Sequence, residues 1–159
     1  PLRDGKASIY EGGIRVPCIM RWPGKIAAGK TNDGLMATID LLPTFAALSG
    51  AKVPDDRIID GVNQLDFILG NSKTARTSYL YNPGSASVQT RILKGNAIRE
   101  GHWKLISPLK VGMFLEDAGS GDWELYNLKE DIGESRNLSA KYPQKVKRLK
   151  AMLQSSEAK

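Results

Sequence analysis

The chain has 159 residues and a formal charge of +6, with 41% hydrophobic and 25% charged residues, which fits one ordinary domain or two small ones with a modest core. That composition excludes collagen-like and disordered chains, and a single cysteine, Cys18, excludes a disulfide-stapled one. Mean hydropathy is -0.32, and no stretch approaches the roughly 18 uninterrupted apolar residues that a bilayer span needs.

In chain order, a polar opening with Arg3, Asp4 and Lys6 shows neither an initiator methionine nor a signal-peptide pattern, so the chain reads as part of a longer polypeptide. Residues Ile14 to Trp22 read as a buried strand interrupted by Pro17, with Cys18 as a small buried hydrophobe within it. Pro23-Gly24 ends that run. Leu35 to Leu48 carries a helical rhythm through Ile39, Leu42, Phe45, Ala46 and Leu48, with Pro43 placed in a first turn or at a kink and Ser49-Gly50 as the stop. Short strands are predicted at Ser78 to Tyr81, Ala97 to Arg99, Trp103 to Ile106 and Glu124 to Leu128, with Glu100-Gly101 as a hairpin signal. Val146, Leu149 and Leu153 recur at helical spacing after Pro143, which suits a first helical turn. The predicted architecture is therefore two parts with a soft boundary near residues 70 to 77, the second a small antiparallel sheet covered on one face by a C-terminal helix.

The basic excess is local. Residues 141 to 159 hold Lys141, Lys145, Lys147, Arg148, Lys150 and Lys159 against Glu157 alone. With Tyr142 the single aromatic among them and no row of aromatics on which bases could stack, these cations read as the solvated face of the terminal helix, not a nucleic-acid surface. A formal P-loop match, Gly24-Lys25-Ile26-Ala27-Ala28-Gly29-Lys30-Thr31, offers an alternative nucleotide-binding reading. Its context opposes that reading, because Asn32-Asp33-Gly34 favours a turn where a P-loop opens a helix.

The opening is more specific. Leu2-Arg3-Asp4-Gly5-Lys6, then Tyr10-Glu11-Gly12-Gly13-Ile14-Arg15-Val16-Pro17, then Arg21-Trp22-Pro23-Gly24 resembles the stretch of formylglycine-dependent sulfatases that reads L-R-x-G-K-x-x-x-x-E-G-G-x-R-x-P followed by W-P-G. The likeness continues through Thr38-Ile39-Asp40-Leu41-Leu42-Pro43-Thr44, the Asp60-Gly61 turn, Trp103-Lys104-Leu105 and Glu124-Leu125-Tyr126-Asn127-Leu128. It spans nearly the whole chain in the family's order.

The resemblance implies an α/β fold: residues 1–70 as the end of an alkaline-phosphatase-like catalytic domain and residues 71–159 as a small C-terminal α+β domain. It implies hydrolysis of sulfate monoesters by the full-length parent, with formylglycine as nucleophile and a calcium ion beside it, and an exported or lysosomal-type compartment. A phosphate-ester hydrolase of the same superfamily is the alternative within that fold. The family's C-x-P-x-R motif has no counterpart here, since Ile19-Met20-Arg21 follow Cys18, and the metal-binding residues precede this stretch in the family. The fragment by itself is therefore expected to be inactive and to hold no cofactor. Lys6 matches the lysine that grips the substrate sulfate, a role suited to a compact ammonium. Arg3 and Arg15 are expected to pair with acidic groups of the remaining domain, and Glu11, Gly12 and Gly13 to shape the turn that aims the loop.

Other candidates carry less. His102 reads as an exposed strand residue, and Trp22, Trp103 and Trp123 as core or rim packing. Asp117, Asp122 and Glu124 around Gly119 and Gly121 lack EF-hand spacing and read as a hairpin loop. Asn137-Leu138-Ser139 is a glycosylation sequon. The expected partners are a sulfate-ester substrate, with neither nucleic acid nor membrane, and the chain itself through exposed catalytic-domain surface.

Overall fold

The computed structural model describes residues 1–6, 8–81, 96–108 and 121–157. The chain forms two compact units, one of Pro1–Val16 with Ser78–Lys159 and the other Pro17–Thr77. The chain passes between them after Val16 and again after Thr77. The first sixteen residues, however, pack with the C-terminal sheet.

In the first unit, α1 (Glu11–Ile14) is a single helical turn, followed after the other unit by β1 (Ser78–Tyr81), β2 (Ala97–Glu100), β3 (Trp103–Ile106), β4 (Glu124–Asn127) and α4 (Pro143–Glu157). The strands form an antiparallel meander in the order β1-β2-β3-β4. Because side chains alternate along a strand, the register builds two different faces. Leu80, Ile98, Leu105 and Leu125 are successive cross-strand partners and meet Leu149 and Leu153 of α4, with Val146 and Met152 beside them. That is the expected helix, its apolar stripe seated on one sheet face. Its cations lie partly over rim aromatics, with Lys145 Nζ 4.5 Å from the Trp103 ring centre and Lys150 Nζ 4.9 Å from that of Trp123.

The opposite face is covered as well. Ala97, Ile106, Tyr126 and Leu128 pack against Ile9 and Tyr10 from the N-terminal segment. On this face the register also aligns Arg99, Lys104 and Tyr126 in a polar row. The Gly101-His102 turn joins β2 to β3, with Gly101 at φ +56° and His102 exposed.

The expected strand from Ile14 to Trp22 does not form. Pro17 lacks a ladder donor, and no strand pairs with this run among the described residues. Val16 is 68% and Ile19 94% exposed, and Cys18 is exposed instead of buried. The run is apolar, but among the described residues no neighbouring strand buries it.

In the second unit a 3₁₀ turn (Thr38–Asp40) leads into α2 (Leu41–Ser49), with α3 (Leu65–Leu69) following. Pro43 sits in the first turn of α2, and Gly50 ends it in the left-handed conformation at φ +71°. The unit is organised around the fully buried Asp40. Its carboxylate accepts the backbone N–H groups of Ala37 and Val62, each at 2.9 Å, and is paired with the Arg76 guanidinium, whose Nε lies 2.9 Å from Oδ2. Arg76 also donates to the Asp60 carbonyl at 2.9 Å. Gly61 follows because a Cβ there would lie 2.2 Å from the Ile39 carbonyl oxygen. Among the described residues no helix is long and apolar enough to cross a membrane.

Candidate functional site

The loop that carries Lys6 is held from both sides. Within it, the Gly12 N–H donates to the Arg3 carbonyl at 2.9 Å and the Ser8 N–H to the Gly5 carbonyl at 3.0 Å. The chain closes on itself so tightly that a Cβ on Gly12 would stand 2.1 Å from the Asp4 carbonyl oxygen, and one on Gly13 2.2 Å from that of Ser8. Glycine at both positions is what permits this approach. Asp4 adopts φ +58°, a left-handed conformation uncommon outside glycine and tolerated best by Asp and Asn.

From outside, the sheet grips the loop. Lys104, with no exposed surface, projects from β3 and places Nζ 3.0 Å from Glu11 Oε1 and 2.8 Å from Glu134 Oε1. The contact to Glu134 is an ion pair off the hydrogen-bonding direction. Glu134 Oε2 accepts the Glu11 backbone N–H at 2.6 Å, and Arg99 Nη1 lies 3.8 Å from Glu11 Oε2. Buried cations and carboxylates thus alternate, the arrangement that makes burying such charges tolerable. Burial pushes the Glu134 carboxyl above the ordinary range, and Lys104 opposes that rise.

Beside this cluster lies a second one. Glu124 Oε2 accepts the hydroxyls of Tyr10 at 2.8 Å and Tyr126 at 2.7 Å. Burial first, then the hydrogen bond to Glu124, raises the pKa of both phenols well above that of ordinary tyrosine, so both hydroxyls act as fixed donors. Arg3 stacks 3.9 Å above the centre of the Tyr10 ring and donates to Tyr126 Oη at 2.9 Å and to the Glu134 carbonyl at 3.0 Å.

The structure thus places Arg3 on partners within this chain, in place of the acidic groups expected from elsewhere. Arg15 is half-exposed, with Nη1 4.0 Å from Glu11 Oε2. Lys6 stands exposed on its turn, and its ammonium has no hydrogen-bond or ion-pair partner among the described residues. The arrangement is a densely hydrogen-bonded base with the exposed Lys6 ammonium presented at its rim.

Gly24 to Thr31 forms exposed turns, with Gly24 at φ +77° and Gly29 at φ +68°, and no helix opens at Lys30. The P-loop reading fails on that geometry. Asp117 and Gly119 lie outside the described residues, while Glu124 belongs to the buried phenol cluster. Asn137 is bound locally: its Oδ1 accepts the Leu125 and Ser139 N–H groups, each at 3.0 Å, and its amide donates to the Trp123 carbonyl at 3.2 Å. Among the described residues no group of three or more His, Cys, Asp or Glu side chains is arranged to hold a metal ion.

Residues 4–159 match the family model described as N-sulphoglucosamine sulphohydrolase, C-terminal. The chain belongs to this sulfatase family. An N-acetylgalactosamine-6-O-sulfatase of Bacteroides thetaiotaomicron is 32% identical over 158 residues, which is 96% of this chain and 29% of that protein. Human arylsulfatase A is 34% identical over 155 residues, 86% of this chain and 28% of its own length. The solved PsFucS1 sulfatase from Pseudoalteromonas sp. superposes with a TM-score of 0.79 at 26% identity, covering 99% of this chain and 32% of that one. The chain thus spans less than a third of the length of these relatives, and corresponds to their C-terminal part.

No motif in the sequence marks a role for the paired hydroxyls, Lys104 or Glu134. Lys104 sits inside an apolar strand motif as an ordinary alternating polar residue. Its only sequence signal is the adjacency to apolar Leu105 and Ile106, which cannot say what covers the lysine's face.

Proposed function

We propose that the full-length protein hydrolyses sulfate monoesters, and that Lys6 is the residue of this chain that binds the sulfate group. The observation that supports this is the free ammonium of Lys6 on a loop immobilised by the Glu11–Lys104–Glu134 cluster, at the position matching the family's sulfate-binding lysine. A compact ammonium there donates to a sulfonyl oxygen and offsets charge gathering on the bridging oxygen as the S–O bond lengthens. Holding the loop in advance avoids reorganisation when the substrate arrives.

Residues 1–70 are read as the end of the catalytic domain and residues 71–159 as the small C-terminal domain, with the opening loop resting on the small sheet. The nucleophile and cation implied by the family likeness, formylglycine and calcium, would be held by residues outside this chain. When bound they supply the attacking oxygen and charge neutralisation, while this chain binds and orients the sulfate.

The test is Lys6→Ala in the full-length enzyme, assayed on nitrocatechol sulfate. The expected loss in kcat/KM is on the order of 10²-fold or more, with Tm unchanged. His102→Ala serves as a control and stays within about three-fold of the parent, as for a surface substitution. Near-parental turnover by Lys6→Ala would remove the role.

A further inference from the structure

We propose that Glu134 is a positioning residue for Lys6, an inference that rests on the sulfate-binding role of Lys6 given above. Glu134 is fully buried and yet adopts φ +51°, a left-handed backbone that is unfavourable for a residue with a long side chain. The turn around it is locked by Asp131, whose carboxylate accepts the Ser135 and Arg136 N–H groups at 2.9 and 2.8 Å and the Ser135 hydroxyl at 2.9 Å.

That backbone lets one residue hold the Lys6 loop at two points. Its carboxylate takes the Glu11 N–H at 2.6 Å, after Lys6, and its carbonyl takes Arg3 Nη1 at 3.0 Å, before it. Between those anchors the loop is braced by its own turn contacts, including the Gly5 N–H on Asp4 Oδ1 at 2.8 Å and the Tyr10 N–H on Ser8 Oγ at 3.1 Å, and by the Tyr10 hydroxyl on Glu124 at 2.8 Å. An ordinary right-handed backbone at Glu134 would turn carbonyl and side chain to different targets. The strained conformation is therefore matched to the two grips, both of which bear on the segment that presents the free ammonium. Displacements near 1 Å at a reacting group cost up to about 10²-fold in rate.

The experiment uses the full-length enzyme and nitrocatechol sulfate, with inorganic sulfate as competitive inhibitor. Glu134→Asn tolerates the left-handed backbone but falls a methylene short of the Glu11 N–H; Glu134→Gln spans the distance. Both lose the same charge beside Lys104, so their difference isolates the grip on the loop. Glu134→Asn is expected to lower kcat/KM by about 10- to 100-fold and to raise Ki for sulfate, with Glu134→Gln recovering most of both. In a Lys6→Ala background, replacing Glu134 by Asn is expected to cost less than about three-fold more, because the two changes remove one function.

Equal effects of Asn and Gln, an unchanged Ki for sulfate, or full additivity with Lys6→Ala would overturn the positioning role while leaving Lys6 in place. If Lys6→Ala alone leaves kcat/KM intact, the sulfate-binding reading itself falls, and this inference with it. Should Glu134→Asn fail to fold, Arg3→Gln removes the other grip and enters the same cycle with the same expected non-additivity.

Discussion

Glu134 Oε2 accepts the backbone N–H of Glu11 at 2.6 Å across 123 positions of sequence, and Lys104 Nζ lies between their carboxylates at 3.0 and 2.8 Å. Two buried acids near one another are made tolerable chiefly by that cation, the one that lies between both. Lys104→Met is therefore expected to destabilise the fold by about 3–5 kcal/mol, the usual consequence of leaving a buried charge without its partner. Adding Glu134→Gln to Lys104→Met should restore part of the loss, since one of the stranded charges goes with it. Chemical denaturation of the four species measures both effects, and additive losses would mean that the residues do not act as a cluster.

The pH dependence of that variant follows from Glu134. Its carboxyl is raised in the folded state, first by burial, with Lys104 opposing. A raised carboxyl binds more protons folded than unfolded, so its contribution falls as pH rises above the ordinary value of 4.5. Without Lys104 the opposition is gone, and the penalty of Lys104→Met should be smaller at pH 5 than at pH 8. Thermal melts of parent and variant at the two pH values decide this, and a pH-independent difference would contradict it.

Gly12→Ala tests the close approach in the Lys6 loop. An added Cβ would meet backbone oxygens of Asp4 and Arg3 at 2.1 and 2.3 Å, atoms that no rotamer change can move aside. The expected loss is about 3 kcal/mol, the upper end for overpacking, together with faster hydrogen exchange at the Glu11 amide. Gly5→Ala is the control, because nothing stands within 4 Å of a Cβ there.

The elements legible in the sequence were those whose pattern is satisfied locally. Val146, Leu149 and Leu153 announce α4 because their partners are one sheet face, and alternation in β1 to β4 suffices to set which side chains point together. Ile14 to Trp22 forms no strand because an apolar run says only that burial is wanted, and the described residues provide no neighbour for it. The role proposed for Lys6 rests on a motif. No motif marks a role for Lys104 or Glu134, since their burial is created by segments far apart in sequence, the partner Glu11 lying 93 positions before Lys104. Arg3 was assigned outward for the same reason, as Tyr126 and Glu134 come from the other end of the chain.

The exposed face of α2 bears on association. Leu42, Phe45 and Leu48 are 52%, 55% and 45% exposed, and Ile39 just before the helix is 39% exposed. Spaced three apart, they form one stripe, and apolar patches of this kind promote association. The isolated chain is expected to self-associate as its concentration rises, and Leu42→Gln with Phe45→Ser to shift it toward monomer without lowering Tm. Light scattering showing a strictly monomeric parent at high concentration would remove this expectation.

Asp40 offers the cleanest stability test in the second unit. It is fully buried, accepts two backbone N–H groups and is paired with Arg76. Burial alone would raise its carboxyl, but the Arg76 hydrogen bond and the amides of Val62 and Ala37 outweigh it and hold the group below 3.8. A depressed carboxyl binds fewer protons folded than unfolded. Its stabilisation is therefore complete above 3.8 and is lost as pH falls through the lower folded value. Asp40→Asn should cost about 3 kcal/mol near neutrality, because Arg76 is left buried without its counter-charge. The variant should also lose less on acidification than the parent, since the titrating group is gone. Hydrogen exchange at the Val62 and Gln64 amides, followed from pH 7 down to pH 3, reads the unit directly. A variant that loses protection on acidification as steeply as the parent would show that the pair does not control this unit's acid response.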